Sequence, residues 1–167
     1  MPAHNAQLPK EDFGRGLSLA QKFNIRAAAR PNRRVKAVLH EAVGFLHGLR
    51  QDIAAGGAVY TGSAWSGPDL ALDKQTAIET ARAKSPIAYL TGDVGLTVSA
   101  ADAQKLSDIR RSFRLSSDKQ AAALALRVYA QVADGLWRGN GFTLQDKTGT
   151  QKQLDTEKIR HMVTRPV

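Results

Sequence analysis

Between Asp93 and Leu144 the apolar positions change period in a fixed order. Val94, Leu96 and Val98 alternate with Gly95, Thr97 and Ser99, the period-2 signature of a short strand. Ser99 with Asp102 three residues on has the spacing of a helix cap, and Leu106, Ile109 and Phe113 form one apolar stripe behind it. Ser117 with Gln120 repeats the capping signal. A longer stripe follows through Ala121, Leu124, Val128, Tyr129, Val132 and Leu136, and Gly139 and Gly141 end it. Phe142, Thr143 and Leu144 then predict a hairpin turning through Asp146, Lys147, Thr148 and Gly149, with a polar helix or tail from Asp155 onward.

The first half of the chain reads differently. Residues 1–10 look like a loose polar start. A helix is expected from Leu17 to Ala29, stopped where Pro31 disfavours helical backbone at Arg30. Asn32 is placed to cap the next helix, which carries Val35, Val38, Leu39, Ala42, Leu46, Leu49 and Ile53 on one face and ends at Gly56 and Gly57. From Gly56 to Gly92 the residues are small and turn-forming. A connector is expected there, with a strand at Val59 and Tyr60, a short helix around Ala77, Ile78 and Ala81, and Trp65 packed over the core. The expected division is a basic helical region over 1–57, a connector over 58–92, a strand-helix-helix unit with its hairpin over 93–154, and a tail over 155–167.

A lone strand followed by two helices cannot satisfy its own backbone donors and acceptors, so the unit needs a second strand. The segment from Asp93 to Leu144 resembles the ribbon-helix-helix family of DNA-binding regulators, in which two copies pair their strands into an antiparallel ribbon that enters the major groove. The resemblance implies a mainly α protein: one ribbon-helix-helix-like unit, an added N-terminal helical region and a short β-hairpin. It places Gly95, Thr97 and Ser99 on the base-facing side of the ribbon, with Thr97 as the main reader. Ser116, Ser117 and Lys119 would meet phosphate, the amides of Ser116, Ser117 and Asp118 pointing at it. The implied partners are double-stranded DNA and a second copy of the chain, a homodimer or higher oligomer pairing two copies of residues 93–99.

An internal repeat bears on that pairing. At an offset of 84, Ile25 to Tyr60 matches Ile109 to Leu144 at five of 36 positions, among them Arg30 with Arg114 and Gly57 with Gly141. That is only modestly above chance, and two unrelated amphipathic helices, each ended by glycines, account for it better than a duplication does. The first copy shows no clear alternating strand ahead of Leu17, which favours the homodimer over a chain folded as its own pseudo-dimer.

Charge supports a polyanionic partner. The net charge is +9, and Arg26, Arg30, Arg33, Arg34 and Lys36 fall in an acid-free run, a candidate set of phosphate contacts. A membrane surface fits less well, because the run lacks an inserting apolar face. With 43% hydrophobic and 23% charged residues the composition is that of an ordinary globular chain, and no apolar run approaches a membrane span. The first twenty residues lack the apolar core of a secretory signal, so a cytoplasmic location is expected. The absence of cysteine excludes disulfides, thiolate metal sites and Cys nucleophiles.

No constellation points to an enzyme, a cofactor or a small-molecule substrate. The sequence Asp146-Lys147-Thr148-Gly149-Thr150 spells the phosphorylation motif of P-type ATPases, but the surrounding module is absent and a turn suits these residues better. His40 and His47 share a helix face without a third ligand and are read as packing or surface residues. Tyr129 and Trp137 are assigned to the core rather than to base stacking. The function expected is transcription regulation on a symmetric operator, and family members with such additions often serve plasmids and other mobile elements, controlling conjugation among other processes. Two alternatives stay open: an architectural or relaxosome-type accessory, and a helical interaction module that binds no DNA.

Overall fold

The computed structural model describes residues 4–23, 30–63 and 67–164. Along them one series of elements runs twice. The first unit is β1 (His4–Pro9), α1 (Lys10–Lys22), α2 (Pro31–Ala54), β2 (Ala58–Ser63), β3 (Gly67–Leu72) and α3 (Lys74–Arg82). After a 3-10 turn at Ala88–Leu90 come β4 (Asp93–Val98), α4 (Ala100–Ser112), α5 (Asp118–Trp137), β5 (Gly141–Gln145), β6 (Gln151–Gln153) and α6 (Glu157–Thr164).

The pairing partner of the alternating strand lies in the same chain. β1 runs antiparallel to β4 with His4 opposite Val98, Ala6 opposite Leu96 and Pro9 opposite Asp93. Ala6, Leu8, Leu96 and Val98 are buried beneath this two-stranded ribbon. The second sheet repeats the device: β2 pairs with β5 at its centre, and β3 and β6 form the edges, in the order β3-β2-β5-β6. The first unit therefore meets the second across two sheets.

This corrects the architecture expected from sequence. A mainly α protein with one ribbon-helix-helix-like unit, an added N-terminal helical region and one short hairpin does not describe six helices and two antiparallel sheets of six strands among the described residues. The reason is local. In β1 the inward positions are only Ala6 and Leu8 before Pro9, too small an apolar signal to separate a strand from a polar start. With β1 in place β4 has its partner, and the case for a homodimer pairing two copies of residues 93–99 falls away.

Local signals did set most boundaries. Ser99 caps α4 by accepting the Asp102 amide at 3.1 Å, and Ser117 caps α5 by accepting the Gln120 amide at 3.2 Å. Asn32 does not cap α2. Pro31 opens that helix with Arg30 as the residue before it, because proline at the first helical position has no amide to leave unpaired. The first helix begins at Lys10 rather than Leu17. Gly56 and Gly139, at φ 113 and 86, take the left-handed conformation that ends α2 and α5 and turns each into the second sheet.

One core serves both units. α2 packs on α5, α4 and α1, and α5 also packs on β1, α3 and α6. Leu106 and Ile109 from α4, Phe113 at its C-cap, and Ala121, Leu124, Val128, Tyr129, Val132 and Leu136 from α5 are all buried, as their stripes require. Tyr129 stands edge-on to Phe23 and Phe45, with ring centroids 5.4 and 6.0 Å apart. Burial and the neighbouring Glu41 charge push its hydroxyl pKa above the usual value. Trp137 is 61% exposed, contrary to its core assignment, because it follows Leu136 by one residue and so points away from the stripe. Trp65 lies outside the described residues. No helix among the described residues is long and apolar enough to cross a membrane.

Two charged links tie the units together at equivalent places. Asp12, the third residue of α1, is fully buried and accepts from Arg127 Nε and Nη2, both at 2.9 Å, and from Arg15 at 2.7 Å. Arg127 also donates to the Thr80 and Ala83 carbonyls at the end of α3. Asp102, the third residue of α4, meets His40 Nδ1 at 2.8 Å. Arg127 and His40 are each the tenth residue of their helices.

The two links differ in burial, and their removal separates them. Asp12→Ala strands a guanidinium that is only 12% exposed and is expected to cost about 3 to 5 kcal/mol. Asp102→Ala releases a His40 side chain that is 59% exposed and is expected to cost about 1 kcal/mol or less. Urea denaturation of each variant measures both, and equal losses would contradict the asymmetry.

Candidate nucleic-acid interface

Side chains alternate across a strand, so burying Ala6, Leu8, Leu96 and Val98 turns Asn5, Gln7, Gly95 and Thr97 outward. The register sets Asn5 opposite Thr97 and Gln7 opposite Gly95. A Cβ built on Gly95 would stand 3.5 Å from Gln7 Nε2, so the Gln7 amide lies across the space that glycine leaves. Two of the expected ribbon residues, Gly95 and Thr97, are thus on the outer face. Ser99 is past the strand, engaged in capping α4.

Asn5 and Gln7 were missed from sequence. Their signal was present, since each flanks Ala6 in an alternating stretch, but it depended on reading two small inward positions as a strand. They change the chemistry of the face. A carboxamide carries its donor and its acceptor on separate atoms and can bond one base edge in two places, which a single threonine hydroxyl does not.

The N-terminus of α2 lies beside the ribbon. A groove of about 430 Å³ has Arg30, Asn32, Arg33 and Lys36 on one wall and Gly95 and Thr97 on the other. Arg30, Arg33 and Lys36 are exposed, the first turn of α2 holds no acid, and none of the three forms an ion pair among the described residues. The helix dipole adds positive potential at this end. Arg34 is half-buried, with Nε enclosed and without a hydrogen-bond partner among the described residues, so it turns partly inward. Arg26 lies outside the described residues.

The N-terminus of α5 flanks the opposite end of the ribbon, where Pro9 and Asp93 pair. Three of its groups are already committed within the chain, while Arg82 and Lys84 line the same groove exposed. The Ser116 amide donates to Gln120 Oε1 at 3.0 Å, Lys119 bonds Asp93 at 3.3 Å, and Arg110 bonds Asp118 at 2.9 Å. Of the phosphate contacts expected here, the Ser116 amide and the Lys119 ammonium are both engaged within the chain, and Ser117 uses its hydroxyl as the cap.

The other candidates resolve into structure. Asp146 Oδ1 accepts from the Thr148 amide and hydroxyl and from the Thr150 amide, which lowers its pKa and fixes the hairpin. His47 bonds Asp108 at 2.9 Å, and hydrogen bonds from His47, Gln104 and Arg111 with the nearby Arg50 charge hold that carboxyl at about 2. Both helix histidines therefore link α2 to α4. No known family model, curated protein or solved structure matches the chain.

The outward placement of Gly95 has a direct test. Gly95→Thr puts a β-former opposite Gln7 where contact is ordinary rather than crowded, and is expected to raise stability by up to about 1 kcal/mol. Thermal unfolding measures it, and a loss of stability would place Gly95 on the wrong face.

Proposed function

We propose that the protein binds double-stranded DNA, laying the β1–β4 ribbon in the major groove with the α2 N-terminus on the adjoining phosphate backbone. One observation carries this reading: an exposed ribbon face of Asn5, Gln7 and Thr97 stands beside Arg30, Arg33 and Lys36, which are exposed and form no ion pair among the described residues. A major groove about 12 Å wide admits a two-stranded ribbon, and carboxamides match base edges there. The basic end supplies the counterion release that drives binding, in a chain of net charge +9. The ribbon-helix-helix resemblance of residues 93–144 leads to the same docking mode. The job we propose is transcription regulation in the cytoplasm, because side chains able to read bases favour a sequence-reading regulator over a shape-only accessory.

Titrating a labelled random duplex with the intact chain over about 50 to 300 mM salt tests the electrostatic part. Replacing Arg30, Arg33 and Lys36 together by Ala is expected to weaken binding and flatten the slope of log affinity against log salt by up to about three units, near one per lost phosphate contact. Failure to bind any duplex at low salt, or an unchanged slope in the variant, would overturn the reading.

A further inference from the structure

The two halves of the ribbon are related by a local two-fold centred on Ala6 and Leu96, and that two-fold equates Asn5 with Gly95 and Gln7 with Thr97. Equivalent positions carry different chemistry. The first strand presents two carboxamides; the second presents a hydrogen and a threonine. Asparagine and glutamine bond adenine through its N6 and N7 edge in two places at once, whereas threonine offers one hydroxyl and one methyl.

The flanks are unequal in the same sense. At the α2 end Arg30, Arg33 and Lys36 are exposed, with no acid in the first turn. At the α5 end Arg110 and Lys119 pair with Asp118 and Asp93, Asp118 already occupies the favourable end of the helix dipole, and the exposed cations lining the groove there, Arg82 and Lys84, come from the end of α3 and the residues after it. A phosphate chain passing both flanks therefore meets two different arrangements of charge. Because both strands of the ribbon belong to one chain, these differences are built into every molecule and no symmetry operation averages them.

We infer that a single chain recognises a non-palindromic duplex, with Asn5 and Gln7 as its adenine readers and with its unlike flanks, at α2 and α5, fixing the direction in which it lies on the DNA. This inference rests on the DNA-binding reading above. It makes the complex directional, so the protein faces one way along a gene.

Selection of the intact chain against a randomised duplex library tests it. The expected result is an asymmetric consensus in which Asn5→Ala and Gln7→Ala each reduce preference for an adenine by about tenfold. Since the chain has no cysteine, Asn32→Cys carrying an iron chelate marks the α2 end alone, and it is expected to cleave one flank of the selected site. The double variant Gly95→Asn, Thr97→Gln equalises the two strands at exposed positions, and is expected to move the centre of the consensus toward a palindrome. A palindromic consensus from the unaltered chain, or equal cleavage of both flanks, overturns the inference while leaving DNA binding standing. Recovery of no duplex at low salt overturns the DNA-binding reading and the inference with it.

Discussion

A strand's backbone amides and carbonyls must find partners, and in this protein β4 finds them in β1 of the same chain. The rest follows from that closure. Once His4 to Pro9 lies against Asp93 to Val98, α1 and α4 leave the ribbon from opposite ends, and α2 and α5 pack against each other beneath it. The second sheet closes the far side in the same way, with β2 against β5. Each unit alone would expose an edge and half a core; joined, they bury one continuous apolar interior.

Tethering also changes what the sequence is free to do. Strands joined in one chain meet at an effective concentration far above that of separate protomers, so the ribbon does not depend on protein concentration. A homodimer repeats every substitution in both halves. Here the halves differ: a fully buried Asp12 held by a mostly buried Arg127 answers an Asp102–His40 pair whose histidine is largely exposed. The ribbon strands and the two helix N-termini differ likewise.

Legibility in the sequence tracked signal strength. Long stripes such as those of α2 and α5, the caps at Ser99 and Ser117, and the Asp146 hairpin were readable because a local pattern alone determines them. β1 was not, since Ala6 and Leu8 are its only buried positions, and losing it turned a self-paired chain into an expected dimer. The repeat was faint for a related reason. Ala6 and Leu96 are 90 positions apart, whereas Gly56 and Gly139 are 83 apart, so no single ungapped offset aligns both ends of the units. At the candidate interface, Gly95 and Thr97 were named through the family resemblance, and Arg30, Arg33 and Lys36 through charge. Asn5 and Gln7 needed the missing strand, and the engagement of Ser116 and Lys119 needed three-dimensional partners that spacing does not reveal.

The intrachain ribbon is tested most directly by a cross-strand disulfide. Asn5 and Thr97 face each other on the outer side of the ribbon, at a Cα separation that paired strands bring within reach of such a bond. In this cysteine-free chain, Asn5→Cys with Thr97→Cys is expected to oxidise to a monomer that migrates faster than its reduced form on a non-reducing denaturing gel, at any protein concentration. A covalent dimer joined through the same two positions would show instead that the strands pair between chains, and would contradict the account.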